Sequence, residues 1–436
     1  MKQIHVDDLT PISLRQASTI CFEQFLAEKR SGVRITPIFL GAPGQGKTAI
    51  VEDFAQYLNN NKELYREALI NRCLANGKTQ KEAEEIANQD WVCISYRLAQ
   101  CDPTDLKGVP VYTSIDGAEM CTFAPPMVFP MEGLKNSAHG KNVLIFLDEV
   151  PQANPSIQNL AANIIDGKVG DYTIDICRSF IVCAGNRKED KAATYDIPRN
   201  VGNRLVKFNV RTTFPEWEEW AINHDINPLV VGFLKSNQNF FNEAIPDNGY
   251  TYGTPRSWHK LSCQVNSLGE DFLTKESYPL YMIQGTVGMA SANIFYQYAK
   301  TVKNKYAIED IIDGKAVSVP SKEERDMLYS IVLQGVYTIN NWVLEAISDA
   351  NYQTAKTPDR NEAFIKALGP RRVNGISNIY LWLDQPGIDP AFKVLINKYQ
   401  RDEIKSPLRG AMSSRPEFKD AFKSYTEIVK ALARSH

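Results

Sequence analysis

One short loop has residues with the types and spacing to hold a phosphate. In GAPGQGKT, Gly41, Gly44, Gly46, Lys47 and Thr48 fit G-x-x-x-x-G-K-[ST]. Glycines let consecutive backbone N–H groups turn toward an anion, and a helix that follows adds the positive end of its dipole. Lys47 would reach the β- and γ-phosphates of a nucleotide, and the Thr48 hydroxyl would ligate Mg²⁺. The predicted nucleotide-binding segment is Gly41, Ala42, Pro43, Gly44, Gln45, Gly46, Lys47, Thr48 and Ala49. An apolar run before it (ITPIFL) and an amphipathic stretch after it supply the strand and helix that the motif requires. A second apolar run, VLIFLDEV, ends in two adjacent acids. Asp148 is predicted to orient Mg²⁺ through its water shell, and Glu149 to polarise an attacking water as general base.

These residues need a scaffold, and the hydrophobic pattern indicates one. Residues 12–30 read as an amphipathic helix leading into the strand 35–40, and a helix is expected from Lys47 to about Leu58. WVCISYRL (91–98), NVLIFLDEV (142–150), SFIVCAGN (179–186) and LVKFNV (205–210) read as four more strands. Short, continuous apolar strands separated by helical stretches predict a buried parallel sheet with helices on both faces. Beyond Thr212 the periodicity turns helical, as in FPEWEEWAINH, NPLVVGFLKSN and TPRSWHKLSCQV. Two stretches, VPVYTSIDGAEMCTF (109–123) and GKVGDYTIDICRSF (167–180), read as strand, turn, strand.

At 436 residues the chain is too long for one compact core and predicts two or three domains. The 49 Lys and Arg nearly balance the 51 Asp and Glu, which argues against wholesale nucleic-acid wrapping. The eight cysteines form no CxxC pair, so neither a zinc site nor a disulfide framework is indicated, and reduced thiols are expected. MKQIHVDDLTPISL has no apolar leader core, and no later run approaches membrane-spanning length. A cytoplasmic protein without a membrane partner is the expectation.

Several ordered segments resemble an AAA+ ATPase, and more narrowly its MoxR-like branch. LDEVPQANPSIQNLAANIIDG is similar to that branch's Walker B segment, with GAPGQGKT as Walker A. CDPTDLKGVPVY (101–112) and FAPPMVF (123–129) are similar to the segments that precede Walker B. AGNRKEDKAATYDIPRNVGNRLVKF (184–208) resembles its sensor 1 strand and arginine-finger element, and TPRSW (254–258) the start of its sensor 2 helix. The resemblance covers roughly 10–300 and implies an αβα nucleotide-binding core over 1–211, a helical lid over 212–300, and leaves 301–436 as a further helical domain of unnamed role.

Residue roles follow from the resemblance one at a time. Asn186 is implied as sensor 1, positioning the attacking water. Arg204 is implied as the finger that reaches the nucleotide of a neighbouring subunit, and Arg199, one short helical turn away, could share that role. Thr254 and Pro255 suit an N-cap and first helical position, which puts Arg256 in a first turn, where a cation opposes the helix dipole and calls for an anionic partner. In the family that partner is ATP. The two strand–turn–strand segments face the ring's channel in the family, which singles out Val111, Tyr112 and Tyr172. Arg187 follows Asn186 where the family often has proline, and Asn203 replaces an acid before the finger. The implied activity is Mg²⁺-dependent ATP hydrolysis by a homo-oligomeric, hexameric ring that remodels a protein client, with a von Willebrand factor A-domain partner. The alternatives are a nucleic-acid motor (a helicase or packaging ATPase) and a slow nucleotide-dependent switch or scaffold.

Overall fold

The computed structural model describes residues 9–190, 194–246, 249–275, 278–356, 359–414, 416–423 and 425–426. Part of the N-terminal stretch read for a leader, residues 1–8, lies outside them, as do residues 191–193 of the finger element. The chain divides into two compact units at Glu216 and Trp217.

The first unit is built on a five-stranded parallel sheet. Its strands are β1 (Thr36–Leu40), β2 (Trp91–Arg97), β5 (Asn142–Asp148), β8 (Ser179–Gly185) and β9 (Leu205–Asn209), in the order β2-β5-β8-β1-β9. Two hairpins account for the other strands, β3 (Val109–Ile115) with β4 (Ala118–Ala124), and β6 (Lys168–Val169) with β7 (Tyr172–Thr173). The helices are α1 (Leu14–Ser31), α2 (Lys47–Asn60), α3 (Arg66–Ala75), α4 (Gln80–Asn88), α5 (Pro103–Lys107), α6 (Pro155–Ile165) and α7 (Arg199–Gly202). A capping box of Ser13 and Gln16 starts α1, and Gly32 in the left-handed region ends it.

The apolar runs are continuous because the three central strands are covered on both faces, and alternation splits them into two cores. Phe39, Leu144, Phe146, Phe180 and Val182 join Phe25 of α1, Phe54 of α2 and Trp91 at the start of β2. Ile38, Leu40, Ile145, Leu147, Ile181 and Cys183 face the other way, onto Ile157, Ala161 and Ile165 of α6. The edge strands β2 and β9 keep several exposed positions.

A fully buried lysine ties α1 to this sheet. Lys29 Nζ donates to Ile176 O (2.7 Å) and Ser179 O (2.6 Å), and pairs with buried Glu28 at 2.9 Å. It also lies 5.1 Å from the Phe25 ring centroid. Burial pushes its pKa down, and Glu28 opposes that shift. Lys29→Ala removes the lysine donor from both carbonyls, leaving Ser179 O with Arg34 at 3.5 Å, and leaves Glu28 with Arg34 at 3.4 Å and the Ile35 N–H at 3.1 Å. Breaking a buried pair from one side costs about 3–5 kcal/mol. The expected result is a clear fall in the denaturation midpoint, and a midpoint like wild type's would show the network to be dispensable.

The β3–β4 hairpin turns at Asp116 (φ 52°) and Gly117 (φ 81°), the two positive φ angles that a two-residue type I′ turn needs. Val109, Val111 and Met120 are exposed on it, and Tyr112 is 74 % exposed. The smaller hairpin differs: Val169 is buried and Tyr172 packs half-buried against the same core as α6.

Every regular element among the second unit's described residues is helical. The unit runs from α8 (Phe214–Asn223), which begins at the junction, through α9 (Pro228–Ser236) and α10 (Pro255–Leu268) to later helices. The 24-residue helix Arg325–Ser348 forms its axis, burying Leu328, Ile331, Val332, Val336 and Ile339. Ser330 Oγ on that axis donates to Pro228 O at 3.1 Å. The aromatic and basic stretch 369–385 is a packing helix: Ile376, Tyr380 and Leu383 are buried, while Arg371 and Arg372 pair with Asp313 and Glu345.

Candidate nucleotide site

The sheet's C-terminal edge is where an α/β fold binds ligands, and the predicted residues arrive there on separate strands. β1 ends at Leu40, the chain turns through the glycine-rich loop, and α2 starts at Lys47. Gly44 (φ 77°) and Gly46 (φ 88°) are both left-handed, so the loop's geometry needs glycine there. Among the described residues no side chain caps α2 at Gly46, so its first turn faces the loop as an anion site does. Gly41 N donates to Gly185 O at 3.2 Å on one flank, and Thr212 Oγ1 donates to Gln45 O at 3.0 Å on the other.

Two contacts join the motifs. Lys47 Nζ, buried, donates to Gly41 O (2.7 Å), Ala42 O (2.8 Å) and Asn186 Oδ1 (3.2 Å) at the end of β8. Thr48 Oγ1 donates to Asp148 Oδ2 at 3.1 Å at the end of β5. Asp148 Oδ1 accepts the backbone N–H of Glu149 at 2.8 Å. Glu149 is half-buried and takes φ 58°, ψ 34°, a left-handed conformation rare for a residue with a Cβ. A hydroxyl and a carboxylate are hard oxygen donors of the kind Mg²⁺ takes together with phosphate oxygens and water. The donor set fits that ion. Cys183, close to this edge, is a spectator, since burial, with Asp148 second, pushes its thiol pKa up.

Arg204 lies elsewhere. It precedes β9, whose Leu205 pairs with Thr36 and whose Asn209 pairs with Leu40. The glycine loop leaves the far end of those strands, about 16 Å away at 3.3 Å per residue. That exceeds the span of an arginine side chain, so Arg204 cannot reach a nucleotide on its own loop. It is partly exposed and paired with Asp166 at 2.7 Å, and a further bond from it goes to Asn200 O. Arg199 is exposed on α7. In the second unit, Thr254 accepts from Ser257 N in a capping box, so Arg256 sits exposed in the first turn of α10, with no ion pair among the described residues.

Two arginines at this edge were given no role by the motif reading. Arg97 ends β2 in register with Asp148, and it lines a cleft of about 830 Å³ together with Thr48, Glu52, Tyr96 and Thr104. Being the last residue of a parallel strand was the signal available for it. Arg187 holds Asp190 with two nitrogens (3.0 and 2.7 Å) and reaches Asn209 Oδ1 at 3.2 Å. It clamps the segment after Asn186 to β9, a restraint supplied by side-chain bonds where a proline would supply ring stiffness.

Strand order, glycine loop and the helical second unit make this a P-loop fold of the AAA+ kind. No family model matches the chain, and no curated protein matches it. Among solved structures it is similar to C. elegans PCH-2, at 11% identity, 66% of this chain, 67% of that chain and a TM-score of 0.28. It is also similar to a RuvB mutant of Thermotoga maritima (12% identity, 75% and 91%, TM-score 0.32). Aeropyrum pernix ORC1, in complex with DNA, gives 14% identity, 92% and 96%, and a TM-score of 0.33. At such values the fold rests on its own strand order and loop geometry.

Proposed function

We propose that this protein is a Mg²⁺-dependent ATPase that works as a ring and uses hydrolysis to remodel a protein client. The observation that carries it is the meeting of Lys47, Thr48, Asp148 and Asn186 from three separate strand ends at one glycine loop. Lys47 and the loop amides hold the phosphates, and Thr48 and Asp148 hold Mg²⁺, which when bound neutralises phosphate charge. Glu149, beside Asp148, takes the proton of the attacking water, and Asn186 orients that water. Arg256 is the cation of the second unit that we assign to bound nucleotide.

Arg204's distance from its own loop is what favours an oligomer. A finger that cannot act on its own nucleotide is useful only to a neighbour's, which a closed ring supplies at every interface. The hexamer, the MoxR-like branch and the von Willebrand factor A-domain partner belong to this proposal through the sequence resemblance. The β3–β4 hairpin supports a protein client. It exposes Val109, Val111, Tyr112 and Met120, and the segment 109–124 has acids (Asp116, Glu119) but no lysine or arginine. Such a surface suits an apolar segment and repels a phosphate backbone.

The test is steady-state ATP turnover against protein concentration, with and without single-stranded and duplex DNA and RNA. Specific activity is expected to rise with assembly and to ignore nucleic acid. Strong stimulation by DNA or RNA would put a nucleic-acid motor in first place, and no turnover at any concentration would leave a nucleotide-dependent switch.

A further inference from the structure

Gln158 plays no part in that chemistry, yet its surroundings are specific. It lies in the second turn of α6 and is fully buried. Its Nε2 donates to Val150 O at 3.0 Å and to Ala153 O at 3.1 Å. Its Oε1 has no partner among the described residues. A buried amide with an unsatisfied oxygen is a poor choice for packing alone, where leucine or methionine brings no polar atom of its own to bury.

Those two carbonyls belong to the turn that carries Glu149. Left-handed backbone at a residue with a Cβ persists only where its surroundings hold it. Here the carbonyls are taken in sequence. Glu149 O accepts from Gln152 N (3.0 Å) and Ala153 N (3.1 Å), Pro151 O accepts from Tyr195 N (2.6 Å), Val150 O accepts from Ala153 N (3.3 Å) and from Gln158, and Ala153 O accepts from Gln158. The turn also abuts the end of β8. A Cβ on Gly185 would lie 2.1 Å from Pro151 Cδ, so only glycine permits this approach. Gln152 Oε1 accepts from Asn186 N at 3.5 Å. Residues 149–153 therefore carry Glu149 at one end and touch the backbone of Asn186 at the other.

We propose that Gln158 is a positioning residue, which fixes Glu149 and Asn186 relative to one another by clamping the turn between them. This rests on the ATPase reading, because the two residues need fixed relative placement only if one activates and the other orients the same water.

The test compares wild type with Gln158→Met, which keeps the length of the side chain and removes both donors. Turnover is expressed per nucleotide-binding-competent chain, counted by stoichiometric titration with a fluorescent ATP analogue. The expected result is a kcat lower by about 10–100-fold, with nucleotide Kd within about twofold of wild type. Gln158→Glu preserves size but offers carboxylate oxygens to two carbonyls, and it carries the test if the methionine variant does not fold. A folded variant with wild-type kcat overturns the proposal, as does one in which kcat and nucleotide affinity fall together, the mark of a merely structural role. A wild type that binds ATP without hydrolysing it defeats the ATPase reading instead, and Glu149→Gln beside wild type separates the two failures.

Discussion

Glu149→Gln lowers steady-state ATP hydrolysis by about 10²–10⁴-fold, the range expected for losing a general base, and leaves nucleotide binding intact. The substitution changes neither the size of the side chain nor the phosphate cradle. Lys47 keeps its bonds to Gly41 O and Ala42 O, and Thr48 keeps Asp148. Only the carboxylate that accepts a proton is lost. The backbone N–H of Glu149 donates to Asp148 Oδ1, so the turn keeps its start. Phosphate release and the Kd of a fluorescent ATP analogue measure the two effects separately. A variant that turns over at more than about a tenth of the wild-type rate would remove Glu149 from the base role. One that also loses nucleotide would mean that Glu149 holds the site together.

Arg204→Ala is expected to lower kcat by about 10³–10⁵-fold in the assembled form, the measured range for arginine fingers. Two readings of Arg204 differ sharply in size. If its pairing with Asp166 is all it does, removing a partly exposed ion pair costs about 0–1 kcal/mol of stability and nothing in kcat. If it serves a neighbour's nucleotide, stability barely moves and turnover collapses. The register between β1 and β9 rules out its own loop as the target. Mixing therefore decides the matter. Chains with Arg204→Ala still carry Glu149, and chains with Glu149→Gln still carry Arg204. Assembled together, two inactive variants should regain part of the activity at interfaces where one chain supplies the base and the other the finger. No recovery in mixed assemblies, or full activity of Arg204→Ala alone, would pass the role to Arg199.

The candidate site was legible where its signal is local. GAPGQGKT and LDE are contiguous patterns, and each lies where a strand ends in the folded sheet. Asn186 was reachable because it ends an apolar run, and that run is the neighbour of both β1 and β5. Arg97 and Arg187 were missed or left as an oddity because an arginine after an apolar run has the same local pattern whether it faces solvent or a site. Tyr112 and Tyr172 make the same point for the hairpins. Both are aromatic residues in short strands, yet one is largely exposed and the other packs against α6's core.

The sequence by itself determined the elements. Runs buried on both faces read as parallel strands, Thr254 and Pro255 marked a helix start, and the stretch 109–123 read as strand, turn, strand. These depend on neighbours a few residues apart, where sterics and hydrogen bonding act on the chain directly. Tertiary structure alone decided which residues meet. Lys47 finds Asn186 across 139 positions, and Thr48 finds Asp148 across 100. It also set Arg204 at the end of the sheet away from its own loop, and aimed Gln158 at two carbonyls rather than at solvent. Strand order and register fix these meetings, and both arise from burying two whole faces at once, a property of the assembled sheet that no short stretch contains.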